Sequence, residues 1–237
     1  MIGLQWREAS YSTSGGNVVR VYTICNIDYS VLNNWARTPF LLRGEANRLY
    51  ITMRFTMRRC SNYPDPASVQ LCKESFKLLY YEADTDFANA TVPAWDENTY
   101  KSVDIIAADR LFTEIDNATI NEITRSIAVT KRGLYLAFYD QGACMTLLSV
   151  RVHYVVCPDM VTNLTMFNRT VSGPELTSVM QTRAVCARHA VAEQPLYALC
   201  MADGSWMDLA ADGCRCGAGF QPDEALTTCA GKNGPVG

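Results

Sequence analysis

Ten cysteines are the residues of this sequence whose chemistry is easiest to predict. An even number of cysteines spread over 237 residues is typical of a disulfide framework formed in an oxidising compartment. One residue separates Cys214 from Cys216, whereas zinc sites use about two to four, and no histidine lies nearby. We therefore predict disulfides and no metal site; ten free thiols in a cytosolic protein are the alternative. The cysteines are Cys25, Cys60, Cys72, Cys144, Cys157, Cys186, Cys200, Cys214, Cys216 and Cys229.

Four N-x-Ser/Thr sequons indicate the same oxidising, secretory environment, because such sequons are acceptors for N-glycosylation. Their asparagines are Asn89, Asn117, Asn163 and Asn168. The sequence begins Met-Ile-Gly-Leu-Gln-Trp, which has neither the basic nor the apolar region of a signal peptide. We therefore expect an extracellular, glycosylated segment whose natural N-terminus lies upstream of residue 1.

Residues that could carry catalysis are scarce. The two histidines, His153 and His189, fall in different parts of the chain, and no nucleophile elbow, Walker loop, HExxH or G-x-G-x-x-G motif occurs. Asp84 and Asp86 flank a single threonine after a predicted strand, which is more typical of a solvated turn than of a pair of catalytic acids. We expect no catalysis and no cofactor in this chain.

Charge and hydropathy exclude two further classes of partner. Lys and Arg number 21 against 24 Asp and Glu, for a net charge of -3 without a long basic run, so nucleic-acid binding is not expected. The most apolar stretch, residues 147–156, is too short to span a bilayer and contains Arg151 and His153. We therefore predict no membrane insertion by this segment.

The elements that must position these residues are predicted to be strands. Residues 49–58 alternate apolar and polar side chains, which places one face in a core and leaves Thr56 and Arg58 on the outward face. Residues 76–81, 133–138 and 147–156 are further candidate strands, and we expect the last two to be neighbours joined through Gln141–Cys144. Many short strands with little helical periodicity predict a mainly β fold, either an antiparallel sandwich or a jelly roll.

Cysteine density divides the chain. Six of the ten cysteines, counting Cys157, lie within residues 157–229, and short cysteine-dense segments use crosslinks in place of a core. We therefore predict one large domain with its own core, residues 1–157, followed by small disulfide-stapled modules at 158–215 and 216–237.

Several distinctive segments follow one another in a fixed order and cover most of residues 18–158. They are residues 22–27 (YTICNI), 33–38 (NNWART), 55–60 (FTMRRC), 72–84 (CKESFKLLYYEAD), 102–109 (SVDIIAAD), 131–144 (KRGLYLAFYDQGAC) and 148–158 (LSVRVHYVVCP). Together they resemble the ephrin-binding domain of Eph receptor tyrosine kinases, and this resemblance implies a jelly-roll β-sandwich. The tail, with Cys157, Cys186, Cys200, Cys214 and Trp206, resembles a sushi-type module followed by the incomplete opening of an EGF-like repeat.

This resemblance implies the extracellular portion of a plasma-membrane receptor. Its partner would be an ephrin on a neighbouring cell, contact would cluster the receptors, and ATP would serve only a kinase domain outside this sequence. The family's disulfide pairs carry over as Cys25–Cys144, Cys60–Cys72, Cys157–Cys200, Cys186–Cys214 and Cys216–Cys229.

The resemblance also implies a ligand site in which an ephrin loop enters an apolar channel. Arg58 matches the family's arginine that meets an acidic ephrin residue, and a guanidinium–carboxylate pair would supply specificity. The positions that match the channel lining and floor are Ile24, Ile27, Thr56, Met145, Thr146 and Leu148.

Three departures from the family pattern accompany these matches. Strands that should precede Trp6 are expected to be missing, which would leave an open sheet edge. Arg59 stands where the family has an acidic residue, and residues 109–120 are shorter than their family counterpart.

Two other functions fit part of the sequence. A glycan-binding jelly-roll module would need an aromatic platform or a calcium-binding acidic cluster, for which Trp95-Asp-Glu is the candidate. A secreted decoy would bind ephrin without signalling.

Overall fold

The computed structural model describes residues 2–4, 6–12, 16–27, 32–63, 71–113, 119–207 and 213–232. These residues form mainly β-strands, as the sequence predicts. The chain divides into two compact units. The N-terminal unit comprises Met1–Gly44 and Leu49–His153, and the C-terminal unit comprises Glu45–Arg48 and Tyr154–Gly237.

Two antiparallel sheets build the N-terminal unit as a jelly-roll-like sandwich. Their strands are β1 Ile2–Leu4, β2 Arg7–Ser12, β3 Val18–Cys25, β4 Asn34–Arg37, β5 Leu41–Leu42, β6 Arg48–Met57, β7 Ser75–Ala83, β8 Lys101–Ala107, β9 Asn121–Ala128, β10 Gly133–Asp140 and β11 Cys144–His153. A turn of 3-10 helix covers Cys60–Asn62. One sheet has the order β1-β4-β10-β7-β8, with β5 also paired to β10, and the other has the order β2-β3-β11-β6-β9.

The core of this unit lies between the two sheets. Every second residue of β6, from Leu49 to Met57, is at most 3% exposed, which confirms the strand predicted from its alternation. Phe55 of β6 contacts Phe76 of the other sheet edge to face, with ring centroids 5.2 Å apart, and Phe76 in turn lies 6.3 Å from Phe138. Burying each such side chain stabilises the fold by about 1.5–3 kcal/mol.

The opposite face of the first sheet is also covered, which buries all eight residues of β10. Trp35 stacks on Tyr139 at a centroid distance of 4.3 Å, and Trp95 and Tyr100 lie 6.1 and 5.6 Å from Trp35. Both covering rings belong to residues 84–100, the segment between β7 and β8. That segment therefore closes one side of the sandwich.

A buried arginine fastens this covering segment. Arg37 is 1% exposed and donates hydrogen bonds to the carbonyl oxygens of Pro93 and Asn89 and to the hydroxyl of Tyr100. Its guanidinium carbon also lies 4.5 Å from the ring centroid of Trp95. Burying a charge is costly without such partners, so these contacts together fix the segment against β4. Burial is the largest influence on Tyr100 and raises the pKa of its hydroxyl, against the opposing effect of Arg37.

The two strands that flank Gln141–Cys144 are not neighbours, contrary to the sequence-based expectation. β10 and β11 follow each other in the chain but belong to different sheets. The reason is a tight connection organised by buried Asp140, which accepts hydrogen bonds from the amides of Gly142 and Ala143 and from the side chain of Asn34. Gly142 has a φ of 121°, which favours glycine. The connection thus crosses from one sheet to the other.

The C-terminal unit has short strands and little core. One small cluster joins Phe167, Ala184 and Ala198 with Trp206 at its edge, and another includes the cysteines themselves. Its strands are β12 Val156–Cys157, β13 Met160–Thr162, β14 Thr165–Phe167, β15 Thr170–Val171, β16 Val179–Arg183, β17 Val185–Cys186, β18 Ala190–Val191, β19 Tyr197–Met201, β20 Trp206–Met207, β21 Arg215–Cys216, β22 Phe220–Pro222 and β23 Cys229–Gly231. Three two-stranded sheets pair β12 with β15, β18 with β21, and β22 with β23. Two three-stranded sheets have the orders β13-β14-β17 and β16-β19-β20.

All ten cysteines lie within the described residues and are disulfide-bonded. The pairs are those that the family resemblance implies. They are Cys25–Cys144, Cys60–Cys72, Cys157–Cys200, Cys186–Cys214 and Cys216–Cys229.

Candidate functional site

Three adjacent strands of the second sheet bring a row of threonines beside a disulfide. Cys25 of β3 lies opposite Cys144 of β11, and two residues further along Thr23 lies opposite Thr146. On its other side Thr146 lies opposite Thr56 of β6. Because these positions alternate with core residues, the row belongs to the outward face of the sheet. The hydroxyl of Thr146 donates to that of Thr23 at 3.2 Å, which links β11 to β3.

Arg58 lies at the end of this row. Its amide donates to the carbonyl of Cys144 at 2.8 Å, so the arginine continues the ladder of β6 against β11. The guanidinium carbon lies 4.8 Å from the ring centroid of Tyr63, whose hydroxyl is 3.5 Å from Cys25 Sγ. Arg58 Nε is buried, and the described residues offer it no hydrogen-bond partner. A buried donor without an acceptor is costly, so this side chain is suited to an incoming anionic group.

The backbone next to Arg58 is held from both sides. The amide of Arg59 donates to the carbonyl of Phe112 at 2.9 Å, and the amide of Phe112 donates back to the last residue of β6 at 3.1 Å. The amide of Cys60 donates to Glu74 Oε1 at 2.8 Å, close to the Cys60–Cys72 disulfide. Two disulfides and these bonds therefore fix the main chain on which Arg58 stands.

Residues 2–157 match the family model of the ephrin receptor ligand-binding domain. The chain belongs to the ephrin receptor ligand-binding domain family. Residues 158–216 match a second model, that of the ephrin cysteine-rich domain. Neither matching model is a kinase domain.

Curated relatives agree with this assignment. Ephrin type-B receptor 3 of Mus musculus is 41% identical over 227 residues, covering 94% of this chain and 22% of the relative. Ephrin type-B receptor 2 of Gallus gallus is 40% identical over 233 residues, covering 95% and 23%. Ephrin type-B receptor 1-A of Xenopus laevis is 41% identical over 225 residues, covering 92% and 22%. The ephrin receptor chain thus spans less than a quarter of the length of these relatives.

Two solved structures that align with this chain are carbohydrate-binding modules. The C-terminal CBM6 of the laminarinase LamC from Zobellia galactanivorans covers 64% of the chain and 90% of its own, at 8% identity and a TM-score of 0.35. The CBM6 module of lichenase 5A from Cellvibrio mixtus, in complex with cellotriose, covers 64% and 88%, at 11% identity and a TM-score of 0.36. Alignments at these scores do not indicate a shared function.

Four of the residues singled out in the sequence lie on the outward face or at its edge in this ephrin receptor domain. Arg58 and Thr146 are half-buried, and Thr56, between them, is only 4% exposed. Leu148 is half-buried at an irregularity of β11, where the register with β6 shifts between Leu147 and Ser149. The structure therefore brings Arg58, Thr56 and Thr146 together, with Leu148 next along the same strand.

The other three face away from that row. Ile24 and Met145 lie opposite each other and are 4% and 2% exposed, and Met145 also lies opposite Met57, a core residue. Ile27, after the end of β3, is 6% exposed. Ile24 and Met145 are packed in the core beneath the sheet, because their strand positions alternate with those of the threonines. Ile27 lies beyond the end of β3 and is assigned to the core by its burial alone. Any influence on binding would act through packing rather than through direct contact.

Sequence reasoning missed two residues at this candidate site. Thr23 precedes Cys25 by two positions, so the period of a strand places both on one face. Tyr63 lies inside the Cys60–Cys72 loop, and its placement over Cys25 depends on the fold of that loop. Thr23 could have been found from the alternation of β3, whereas no local sequence signal indicates the position of Tyr63.

Three of the four sequon asparagines, Asn89, Asn163 and Asn168, are exposed in the ephrin receptor structure, and Asn117 lies outside the described residues. Among the described residues no helix could cross a bilayer, and no group of three or more His, Cys, Asp or Glu side chains could hold a metal ion. Trp95 is half-buried, and its Nε1 donates to the carbonyl of Ala90 at 2.6 Å.

Proposed function

We propose that this chain is the ligand-recognition region of an Eph-type receptor tyrosine kinase and binds a membrane-anchored ephrin on a neighbouring cell. The observation that carries the proposal is Arg58 at the end of the threonine row, whose Nε is buried and finds no hydrogen-bond partner among the described residues. The family to which the chain belongs supports the same ligand class.

Arg58 would recognise an acidic residue of the ephrin. Its backbone bond to Cys144 and its stacking on Tyr63 hold the guanidinium in place before the ligand arrives. A planar guanidinium can bind a carboxylate with two parallel hydrogen bonds, which fixes orientation as well as charge. Because little of the side chain remains to be ordered, binding would lose less free energy to the ordering of this arginine.

An ephrin loop would lie along the outward face of β6 and β11. Thr56 and Thr146 are small, so they leave room for the loop, and Leu148 adds an apolar contact at the strand irregularity. The buried residues Ile24 and Met145 would support this face from below. Burial of apolar loop residues would supply affinity, while Arg58 would supply specificity.

Binding would act across a cell–cell contact. In this proposal the chain is the extracellular portion of a plasma-membrane protein, and ephrins on the opposing cell cluster several receptors. Clustering would bring together kinase domains that lie outside this sequence, and ATP would be used only there. A secreted decoy would bind ephrin in the same way and would differ in lacking the membrane span and kinase of its parent protein.

Biolayer interferometry of the disulfide-intact chain against a panel of ephrins tests the proposal. We expect Arg58→Glu to weaken binding at least about 30-fold, since breaking a buried charge pair costs about 2–5 kcal/mol. Arg183→Glu is the matched control, because Arg183 is exposed on the C-terminal unit and the charge change is the same. Its affinity should equal that of the wild type.

A second variant, Thr146→Trp, tests the face independently of charge. Filling the space beside Thr56 should abolish loop entry while leaving Arg58 in place, and circular dichroism would confirm that the sheet is retained. Wild-type protein that is folded but binds no ephrin, or an Arg58→Glu variant that binds like the wild type, would overturn the proposal.

The structure gives little support to a glycan-binding function. The ring of Trp95 packs on Trp35 and under the guanidinium of Arg37, so it is engaged in closing the sandwich rather than forming an open platform. A glycan array would test that alternative directly, because glycan binding by the wild-type protein that is lost in a Trp95→Ala variant would support it.

A further inference from the structure

The Cys25–Cys144 disulfide differs from the other four in its backbone geometry. It joins residues that lie directly opposite each other on adjacent antiparallel strands, with a Cα–Cα distance of 4.0 Å. Disulfides usually span about 4.4–6.8 Å between Cα atoms, and departures make the bond more reducible. The corresponding distance is 5.6 or 5.7 Å in Cys60–Cys72, Cys157–Cys200, Cys186–Cys214 and Cys216–Cys229.

The same disulfide is also the most accessible one. Cys25 is exposed and Cys144 is half-buried, so a thiol in solution can approach the Cys25 sulfur. Each of the other four disulfides contains at least one cysteine that is no more than 9% exposed, namely Cys72, Cys157, Cys200, Cys214 or Cys229. Access and leaving-group stability both determine the rate of thiol–disulfide exchange.

The surroundings of this disulfide favour the departure of a sulfur anion. The hydroxyl of Tyr63 lies 3.5 Å from Cys25 Sγ and can donate a hydrogen bond to this sulfur when it leaves a mixed disulfide as a thiolate. The guanidinium of Arg58 lies over the ring of Tyr63, and Arg59 follows it in the chain. Positive charge near a cysteine stabilises its thiolate, and it also attracts a negatively charged attacking thiol.

We propose that Cys25–Cys144 is a thiol-exchange site whose reactant is a low-molecular-weight thiol that carries negative charge. The attacking thiolate forms a bond to Cys25 Sγ, the sulfur–sulfur bond breaks, and Cys144 leaves as a thiolate that takes a proton from water. A second thiolate then attacks the mixed disulfide at the sulfur of the bound thiol. Cys25 leaves as a thiolate, so two electrons reduce the protein while the two reactant thiols become one disulfide.

Reduction would loosen the binding face without unfolding the sandwich. Arg58 is attached to Cys144 through its amide, and the disulfide holds β3 against β11 at that point. The ladder from Met145 and Ile24 onward and the core of the unit remain in place. This consequence rests on the proposed ephrin function, because it is the position of Arg58 that changes.

Timed labelling tests the exchange site directly. The intact chain is incubated with graded reduced glutathione under native conditions, free thiols are blocked with N-ethylmaleimide, and the ten cysteines are mapped by peptide mass spectrometry. We expect Cys25 glutathionylation and Cys144 alkylation to appear about ten-fold faster than reduction of any other pair, with circular dichroism unchanged. Faster reaction at another pair, or reaction at Cys25 only as circular dichroism is lost, would overturn the proposal.

Two double variants test whether this disulfide affects ephrin binding, separately from whether it exchanges with thiols. Cys25→Ser with Cys144→Ser should weaken ephrin binding about as much as selective reduction does, whereas Cys216→Ser with Cys229→Ser in the C-terminal unit should leave it unchanged. Equal binding by the first variant and the wild type would overturn the link between this disulfide and the binding face. If unreduced wild-type protein binds no ephrin, the proposed function fails, and the exchange site is judged by the labelling rates alone.

Discussion

The two units of this chain use disulfides for different purposes. In the N-terminal unit, large side chains such as Phe55, Phe76 and Phe138 fill the space between two sheets, and the two disulfides lie around the candidate binding face. In the C-terminal unit, Cys214 and Cys229 are themselves members of the buried cluster. A small module cannot bury enough apolar surface, so crosslinks take over part of the role of the core.

The largest expected effect follows directly from this contrast. Cys157→Ser with Cys200→Ser should unfold the C-terminal unit, because the bridge spans 43 residues, both cysteines are fully buried, and its loss costs about 4 kcal/mol. Cys60→Ser with Cys72→Ser should lower the stability of the N-terminal unit by about 3 kcal/mol and leave it folded. Limited proteolysis followed by mass spectrometry of the fragments would show which unit becomes susceptible to cleavage in each variant. Equal resistance of the two units to protease in these variants would contradict the contrast.

A smaller effect concerns acid, because the stability of the N-terminal unit should depend on pH through Glu82. Burial raises the pKa of Glu82, but hydrogen bonds from Thr130, Lys101 and Lys131 outweigh it, so the pKa lies below the ordinary 4.5. A lowered pKa gives stability that is present above the unfolded value and lost as pH falls through the folded one. Glu82→Gln should therefore destabilise the N-terminal unit by about 1–3 kcal/mol at pH 7 and flatten its loss of stability below pH 4.5.

Melting temperatures measured between pH 3 and 7 would check this, with the C-terminal unit of the same molecule as an internal control. The pKa of Asp140 is shifted the opposite way from that of Glu82, because burial raises it. The Glu82→Gln variant leaves the contribution of Asp140 to the pH dependence unchanged. An acid response identical to that of the wild type would show that Glu82 is not the group concerned.

The smallest expected effect is at the surface of the N-terminal unit. Arg20 pairs with Glu8 at 2.9 Å, but the two side chains are 71% and 50% exposed. Exposed pairs contribute about 0–1 kcal/mol, so Arg20→Ala should shift the urea midpoint by little or nothing. A large shift would mean that the stability of this unit does not reside mainly in its core.

The individual strands could be predicted from sequence, but their arrangement could not. The alternation in residues 49–58 identifies β6 because one buried face leaves a local trace in the order of residues. The placement of β10 and β11 in different sheets depends on bonds that Asp140 makes to residues distant in sequence, such as Asn34. The disulfide pairs likewise came from family resemblance, since ten cysteines alone do not determine a pairing.

The candidate site was predictable to a similar extent. Alternation predicts Thr56 and Arg58 on the outward face, and the structure places them there, although Thr56 is only 4% exposed. Family resemblance grouped Ile24 and Met145 with them, whereas the cross-strand register places both in the core. The buried Arg37 left no sequence signal, because its partners are main-chain carbonyls of a segment more than 50 residues away.

The alternation of β11 also constrains how this domain can change in evolution. Met145 and Leu147 face the core while Cys144 and Thr146 face outward, so core and recognition positions are interleaved residue by residue. Replacing an outward residue can alter recognition without disturbing its buried neighbours. Inserting or deleting one residue would exchange the two faces along the rest of the strand unless a local irregularity, such as the one at Leu148, absorbed the change. Diversification of recognition on this strand should therefore proceed by substitution, with changes of length confined to connecting segments such as residues 109–120.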